Sequence, residues 1–251
     1  GNVLRDILDS GAIPSVRLTE IFRQDEKSMI VYNAHRINRG EAPRLNAKGS
    51  DFFFERAVSP SDAAKRIVAL CASRLPSFLH LDPVRQMQVL SPTKKGECGV
   101  WMLNQLLQAE FNPAAPGKHE RVRGDTTFRE GDKVMQTRNN YDIEWTGPDG
   151  DGTGIFNGDI GILRNVDLRS RMAEIMFDER KAVIPFEALQ ELELAYAVTV
   201  HKSQGNEFPA VIMPIIGVPP RLAYRNLLYT GVTRAKKILV LVGSQSQIYA
   251  M

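Results

Sequence analysis

Cysteine is scarce in this chain of 251 residues: only Cys71 and Cys98 are present. Two thiols cannot build a disulfide framework, and no Cys/His cluster has the spacing of a zinc site. No apolar run approaches the roughly 20 residues that a membrane helix needs, so no membrane partner is expected. The opening Gly1-Asn2-Val3-Leu4-Arg5-Asp6 is not a signal peptide, and a reducing cytoplasm is the expected setting. An initiator methionine is also missing, so the sequence reads as a piece cut from a longer chain. Low-complexity tracts and internal repeats are absent. Apolar residues make up 43%, charged residues 24%, and there are 14 prolines, which excludes a wholly disordered or collagen-like chain. The length allows one large domain or two smaller ones, each burying a core.

A strong excess of one charge is lacking too, at a formal net charge of +3. The distribution is uneven, however. Residues 1–126 and 188–251 carry 24 basic and 17 acidic side chains, whereas 127–187 carry 8 and 12. A mildly basic body is interrupted by an acidic stretch.

Texture changes at the same boundaries. Val16–Phe22 alternates apolar and polar residues and predicts a strand. Ser28–Asn38 predicts a helix that stops before Gly40, and Asp51–Glu55 a short strand. Ser59-Pro60-Ser61-Asp62 opens a helix with Ala64, Ile67, Val68 and Cys71 on one face. Met87–Leu90 predicts a strand. After it come the loop Ser91-Pro92-Thr93-Lys94-Lys95-Gly96 and a helix from about Cys98 to Glu110, with Trp101, Leu103, Leu106 and Leu107 available for burial. Near the end, Ala195–Val200, Ala210–Ile216 and Ile238–Val242 predict buried strands, with a helix within Arg221–Arg234. This alternation predicts an α/β body around a mainly parallel sheet. Between Thr127 and Glu187 there are only short strands and glycine turns, Thr146–Gly152 being the most turn-rich. That stretch predicts a small inserted β-barrel.

Two runs carry the chemistry. Ala195–Phe208 is a buried-looking strand entering a loop of His201, Lys202, Ser203, Gln204, Gly205 and Glu207. Polar side chains packed directly after a buried strand are costly unless they bind something, and α/β sheets bind ligands beyond the carboxyl ends of strands. Asn226–Lys237 is an apolar helix from which the fixed cation Arg234 emerges before the last strand.

His-Lys-Ser-Gln-Gly-x-Glu-Phe at 201–208 resembles motif V of superfamily 1 helicases, and Tyr-Thr-x-Val-Thr-Arg-Ala-Lys at 229–236 resembles their motif VI. Leu18–Gln24 is similar to the motif IV region of the RecD-like branch, which includes exodeoxyribonuclease V alpha subunits. Phe156–Gly161, Gly131–Met135 and Ser91–Gly96 resemble the same branch, and Gly1–Asp9 resembles the helix just after motif III. The matches run in family order over nearly the whole chain.

The resemblance implies a second RecA-like domain at 1–126 and 188–251 and an inserted SH3-like barrel at 127–187. It implies ATP and Mg2+ bound by a missing N-terminal RecA-like domain of the same parent, and movement on single-stranded DNA in the 5′-to-3′ direction. RecBCD-type subunits are further partners the family allows. Arg23 and Arg234 match the arginines that reach ATP across the cleft. Gln204, Gly205 and Glu207 match nucleotide contacts. Thr93, Lys94, Lys95, Thr199 and His201 are the phosphate-contact candidates for DNA.

A phosphate-binding Gly-x-x-x-x-Gly-Lys-Ser/Thr is absent: Gly117-Lys118-His119 lacks the upstream glycine and the hydroxyl. The chain alone is therefore expected to hydrolyse no ATP. Ile175-Met176-Phe177-Asp178-Glu179 imitates a magnesium-binding strand end, but it lies in the β-rich stretch and is expected to be a hairpin turn. The residues also leave open a non-catalytic module that binds single-stranded nucleic acid or a protein. Phe52–Phe54 is expected to be a core strand, and Asn139, Asn140 and Tyr141 lie beside the barrel.

Overall fold

The computed structural model describes residues 3–16 and 28–251, without the side chain of Arg5. Arg23 and nearly all of the strand expected at Val16–Phe22 lie outside these residues. The chain opens with α1 (Val3–Ser10) and α2 (Met29–Asn38), the latter capped by Ser28, whose Oγ accepts the Val31 amide. β1 (Phe52–Arg56) leads into α3 (Pro60–Ala69), where Ser59 is the cap and Pro60 sits in the first turn. A π-turn at Leu70–Arg74 joins α3 to α4 (Leu75–Leu79), and β2 (Met87–Ser91) and α5 (Val100–Phe111) follow.

An antiparallel region comes next. β3 (Glu120–Arg123) and β4 (Thr126–Arg129) form a separate hairpin. β5 (Lys133–Gln136), β6 (Asn140–Gly147), β7 (Gly150–Ile155), β8 (Ile160–Asp167), β9 (Met172–Phe177), β10 (Arg180–Pro185) and β11 (Leu192–Leu194) make one sheet, in the order β11-β5-β8-β9-β10-β6-β7. The chain then returns to the body through β12 (Ala197–Thr199), β13 (Phe208–Ile215), α6 (Arg225–Val232), β14 (Ala235–Gly243) and α7 (Gln245–Ala250).

The body is a five-stranded sheet of order β1-β14-β13-β2-β12, with every pair parallel. Its middle strand, β13, is apolar throughout because both of its faces are covered. Ala210 and Ile212 join one core with Ile67, Leu103 and Leu107 of α3 and α5. Val211, Met213 and Ile215 join the other with Ile30, Ala34, Leu227 and Leu228 of α2 and α6. The first core runs on without a break into the antiparallel sheet, through residues such as Phe128, Val134, Leu163 and Ile175.

Several details differ from the sequence reading. Trp101 and Leu106 are 54% and 37% exposed; only Leu103 and Leu107 of the four turn fully inward, because α5 offers the sheet a single stripe. Thr146–Gly152 is mostly strand, not loop: Gly147 pairs with Gly150, leaving Pro148-Asp149 as the turn, and the Trp145 ring lies directly over Gly152, where a side chain would collide. The helix within Arg221–Arg234 is confined to α6. Asp178-Glu179 is the two-residue turn between β9 and β10. No helix among the described residues is long and apolar enough to cross a membrane.

Only Ala195 and Tyr196 separate β11 from β12, so one step of chain passes from the antiparallel sheet to the parallel one. Buried polar groups hold that step. Asn104 of α5 donates to the Leu194 and Ala197 carbonyls (3.0 and 2.9 Å) and accepts the Ala197 amide at 2.8 Å. Gln88 donates to the Ala195 and Tyr196 carbonyls at 3.0 and 3.1 Å. Asp132, wholly buried, receives Gln108, Asn112, the Arg129 amide and the Tyr196 hydroxyl. Burial pushes its carboxyl up, against the pull of these donors. Lys133 of β5 reaches across to the Met87 carbonyl of β2 at 2.9 Å.

At the outer side of β1, side chains stand in for a strand. Ser50 Oγ donates to the Phe52 carbonyl and accepts its amide, both at 2.9 Å. Asn46 does the same for Phe54, at 2.9 and 2.7 Å.

The Lys133 ammonium is buried, and desolvation lowers its pKa from 10.5 to about 8. Between those values the unfolded chain holds a proton that the folded chain has released, so stability from this residue rises with pH. Urea midpoints of the native chain relative to Lys133→Met are expected to be flat below pH 7 and to rise between pH 8 and 10.5. A difference that stays flat there would refute the buried amine.

Candidate functional site

The candidate residues fall at the two opposite ends of the parallel sheet. Thr199 closes β12 and pairs in register with Ser91 at the end of β2, so it and the loop carrying Thr93, Lys94 and Lys95 share the carboxyl end. Glu207 immediately precedes β13 and Arg234 immediately precedes β14, and the first residues of those strands, Phe208 and Ala235, are partners. These two lie at the amino end, about 20 Å away at roughly 3.3 Å per residue. The segment 200–206 spans the distance as a 3-10 turn, His201–Ser203, followed by Gln204, Gly205 and Asn206.

At the carboxyl end the loop is held by the start of α5. The Thr93 and Lys94 carbonyls accept the Val100 and Trp101 amides at 3.0 and 3.2 Å, the job a side-chain cap otherwise does. Gly99 makes this possible, since a Cβ there would collide with the Lys94 and Lys95 carbonyls. Ser91 Oγ donates into the same loop at the Thr93 and Cys98 carbonyls. Lys94 and Lys95 are exposed, and Lys95 Nζ stands 5.6 Å from the centre of the Trp101 ring. The Val200 amide donates to the Ser91 carbonyl at 3.1 Å, which joins the two loops. His201 is exposed, with Nε2 3.0 Å from the Tyr224 hydroxyl.

Three hydrogen bonds help to orient Arg234 at the amino end. Its guanidinium donates to the Thr230 carbonyl (3.2 Å), to the Asn206 carbonyl (3.1 Å) and to Thr233 Oγ1 (3.3 Å). The motif VI cation is thus tied to the motif V loop. Glu207 pairs with Lys236 at 3.1 Å. Gln204 and Gly205 are exposed, and Gly205, at φ +91°, has open space on its outer side. Asn206 donates to the Gly158 carbonyl of the antiparallel region at 3.2 Å, so the loop touches that sheet as well.

The structure therefore brings together Thr93, Lys94, Lys95 and Thr199 at one end, and Glu207 and Arg234 at the other. Arg23 lies outside the described residues. Three partners went unnoticed in the sequence: Asn206, Lys236 and Tyr224. The first two stand inside the motif runs themselves, whereas nothing local marks Tyr224. Elsewhere, Phe52 is wholly buried, as a core strand requires, while Tyr141 is 66% exposed and meets Phe156 edge to face at 5.6 Å.

Comparison with known proteins bears on the fold that carries these residues. Residues 103–177 match the family model "ATP-dependent RecD-like DNA helicase SH3 domain", and residues 194–242 match "UvrD-like helicase C-terminal domain". The chain is 32% identical over 236 residues to the ATP-dependent RecD2 DNA helicase of Deinococcus radiodurans, covering 94% of this chain and 29% of that protein. It is 25% identical over 274 residues to the RecBCD enzyme subunit RecD of Haemophilus influenzae, covering 97% of this chain and 38% of that one. The chain thus spans less than half the length of either relative. Among solved structures, the Pif1 helicase of Candida albicans superposes with a TM-score of 0.51 at 14% identity, over 94% of this chain and 58% of that one. A Bacteroides Pif1 helicase does so with 0.50 at 15%, over 90% and 51%. A RecA-like parallel sheet carrying an inserted SH3-like unit is the fold that this chain shares with these helicases. The chain is similar to the C-terminal region of RecD-like helicases.

Neither cysteine is poised for nucleophilic chemistry. Burial pushes the Cys71 thiol up to about 12 and the Cys98 thiol to about 11. Both are expected to react with an aromatic disulfide reagent at pH 8 on the order of a hundredfold more slowly than free cysteine, and to become fully reactive in urea. Fast labelling of the folded chain would contradict this.

Proposed function

We propose that the chain is the second motor half of an ATP-dependent DNA helicase that moves 5′ to 3′ on single-stranded DNA. In this reading 1–126 and 188–251 form the RecA-like half and 127–187 the inserted barrel. An N-terminal RecA-like domain of the same parent holds ATP and Mg2+. The observation that carries the reading is the sorting of candidates to opposite ends of one sheet. Among the described residues, cations and hydroxyls without carboxylate partners lie at the carboxyl end, and a guanidinium bonded to carbonyl and hydroxyl groups lies at the other.

Hydrolysis spreads negative charge over the γ-phosphoryl group, and a positioned guanidinium stabilises it. Arginine suits this because its planar fork stays charged and binds two oxygens. Arg234 acts here, with Arg23 as its companion. Its bond to the Asn206 carbonyl fixes its stem relative to Gly205 and Glu207, the residues that would meet the nucleotide. The open side of Gly205 leaves room for that approach. Both arginines stand on the half that lacks the phosphate-binding loop, so the competent geometry forms only when two halves close. This couples chemistry to movement. Thr93, Lys94, Lys95, Thr199 and His201 hold the DNA backbone, which lets the motor run on any sequence. RecBCD-type subunits are the further partners proposed, and two unpaired cysteines suit a cytoplasmic setting.

Purified alone, the chain is expected to release no phosphate from ATP above a no-protein control. In the longer parent, Arg234→Ala should lower single-stranded-DNA-stimulated hydrolysis by about 10³-fold or more. Affinity for DNA should change by less than about threefold. Loss of DNA binding in that variant would undo the assignment of Arg234 to the nucleotide.

A further inference from the structure

The carboxyl end of the parallel sheet continues well beyond the loops already described. Cys98 Sγ donates to the Pro60 carbonyl at 2.9 Å, which joins the Thr93–Lys95 loop to the start of α3. Gly217, just after β13, lies against Pro60. The Val218 amide donates to Gln247 at 3.4 Å, the Ser244 amide to the Ile215 carbonyl at 2.9 Å, and the Ala57 amide to the Gly243 carbonyl at 2.9 Å. The rim therefore crosses all five strands, from β12 to β1, roughly 19 Å at about 4.8 Å per strand.

It ends in an open concavity of about 620 Å³, where Arg56, Ser244, Gln245, Ser246 and Gln247 face solvent. Among the described residues, no carboxylate lines it. The nearest acids are engaged elsewhere: Glu55 pairs with Arg66 and Arg74, and Asp62 with Arg66. Arg56 is exposed and forms no ion pair with a described residue. The Ser244 and Ser246 hydroxyls bond each other at 2.8 Å and Gln245 donates to the Tyr249 hydroxyl at 2.8 Å. This leaves the Arg56 guanidinium as the main donor for phosphate oxygens, with the Gln247 amide and the remaining hydroxyl proton beside it; none of these reads base sequence.

We infer that this concavity is a second contact point for a single-stranded nucleic-acid backbone, continuous with the Thr93–Lys95 loop, and that Arg56 binds a phosphate there. The inference rests on the proposed role of that loop. A strand seated at Lys94 and Lys95 reaches Arg56 only if it is long enough to cross the rim, so the two contacts separate by length.

Fluorescence anisotropy of the 251-residue chain with labelled oligothymidylates of about 4 and 16 nucleotides tests this, those lengths bracketing common single-strand site sizes. Arg56→Glu is expected to weaken binding of the 16-mer about tenfold and to leave the 4-mer within about twofold. Arg56→Ala should reduce the salt slope on the 16-mer by about 0.7, the value for one phosphate, and Arg56→Lys should restore it. Lys94→Ala with Lys95→Ala should weaken both lengths. If the lysine variants weaken both lengths and Arg56→Glu changes neither, the second contact is overturned while the loop's role stands. If the lysine variants change nothing, or the unaltered chain binds no 16-mer, the reading beneath it falls. Competition by inorganic phosphate as effective as competition by the 16-mer would make the concavity a small-anion site and overturn the inference. Arg56 is exposed, so unchanged urea midpoints will show that these variants fold.

Discussion

The Asp132 carboxylate is shut off from solvent and receives four hydrogen bonds, from Gln108, Asn112, the Arg129 amide and the Tyr196 hydroxyl. These groups belong to the end of α5, the last residue of β4, and the two-residue step between the sheets. A buried carboxylate without partners is strongly unfavourable, so no one of these segments can shift without exposing the others to that cost. Asn104 and Gln88 extend the constraint to the backbone of Leu194, Ala195, Tyr196 and Ala197. The strand leading into the motif V loop is therefore positioned by hydrogen bonds as well as by packing. The inserted unit shares in holding it.

This seam bears on how the two ends of the sheet relate. Thr199 follows the seam by two residues, and the loop after it ends at Asn206, which meets Arg234 through its carbonyl and Gly158 through its amide. One short segment thus links the carboxyl end, the amino end and the antiparallel region. A displacement of the antiparallel sheet would act on the guanidinium through a few hydrogen bonds, not through a long chain of packed side chains. Any coupling between DNA and nucleotide in this half would have a short physical route.

Much of the fold was legible because its elements obey simple periods. β13 is apolar throughout since α2 and α6 cover one face and α3 and α5 the other. Ser28 and Ser59 announce their helices by capping them. Trp101 misled because helical spacing says which apolar residues could share a face, not which one a neighbouring loop will claim; Lys95 lies over it instead. The glycines from 147 to 152 resembled a loop because glycine ordinarily marks turns; here they pair within a tight hairpin, with the Trp145 ring lying over Gly152. Buried Asn104, Gln108, Asp132 and Lys133 carry no local signal at all, since polar side chains are ordinarily assigned to the surface. In the candidate site, the contiguous runs 201–208 and 229–236 were readable as runs. Their division between two ends of a sheet was not, because it depends on strand order, which puts β13 and β14 side by side and β12 beyond β2.

The side chains bonded along β1 have a consequence for association. Ser50 and Asn46 occupy both the amide and the carbonyl of Phe52 and of Phe54. A parallel strand offers alternate residues to each neighbour, and these are the residues turned away from β14. An incoming chain would have to displace these internal bonds to build a ladder along Phe52–Phe54. The sheet thus carries its own stop against templated growth and strand exchange, although Phe52–Phe54 is the kind of aromatic run that would otherwise invite them.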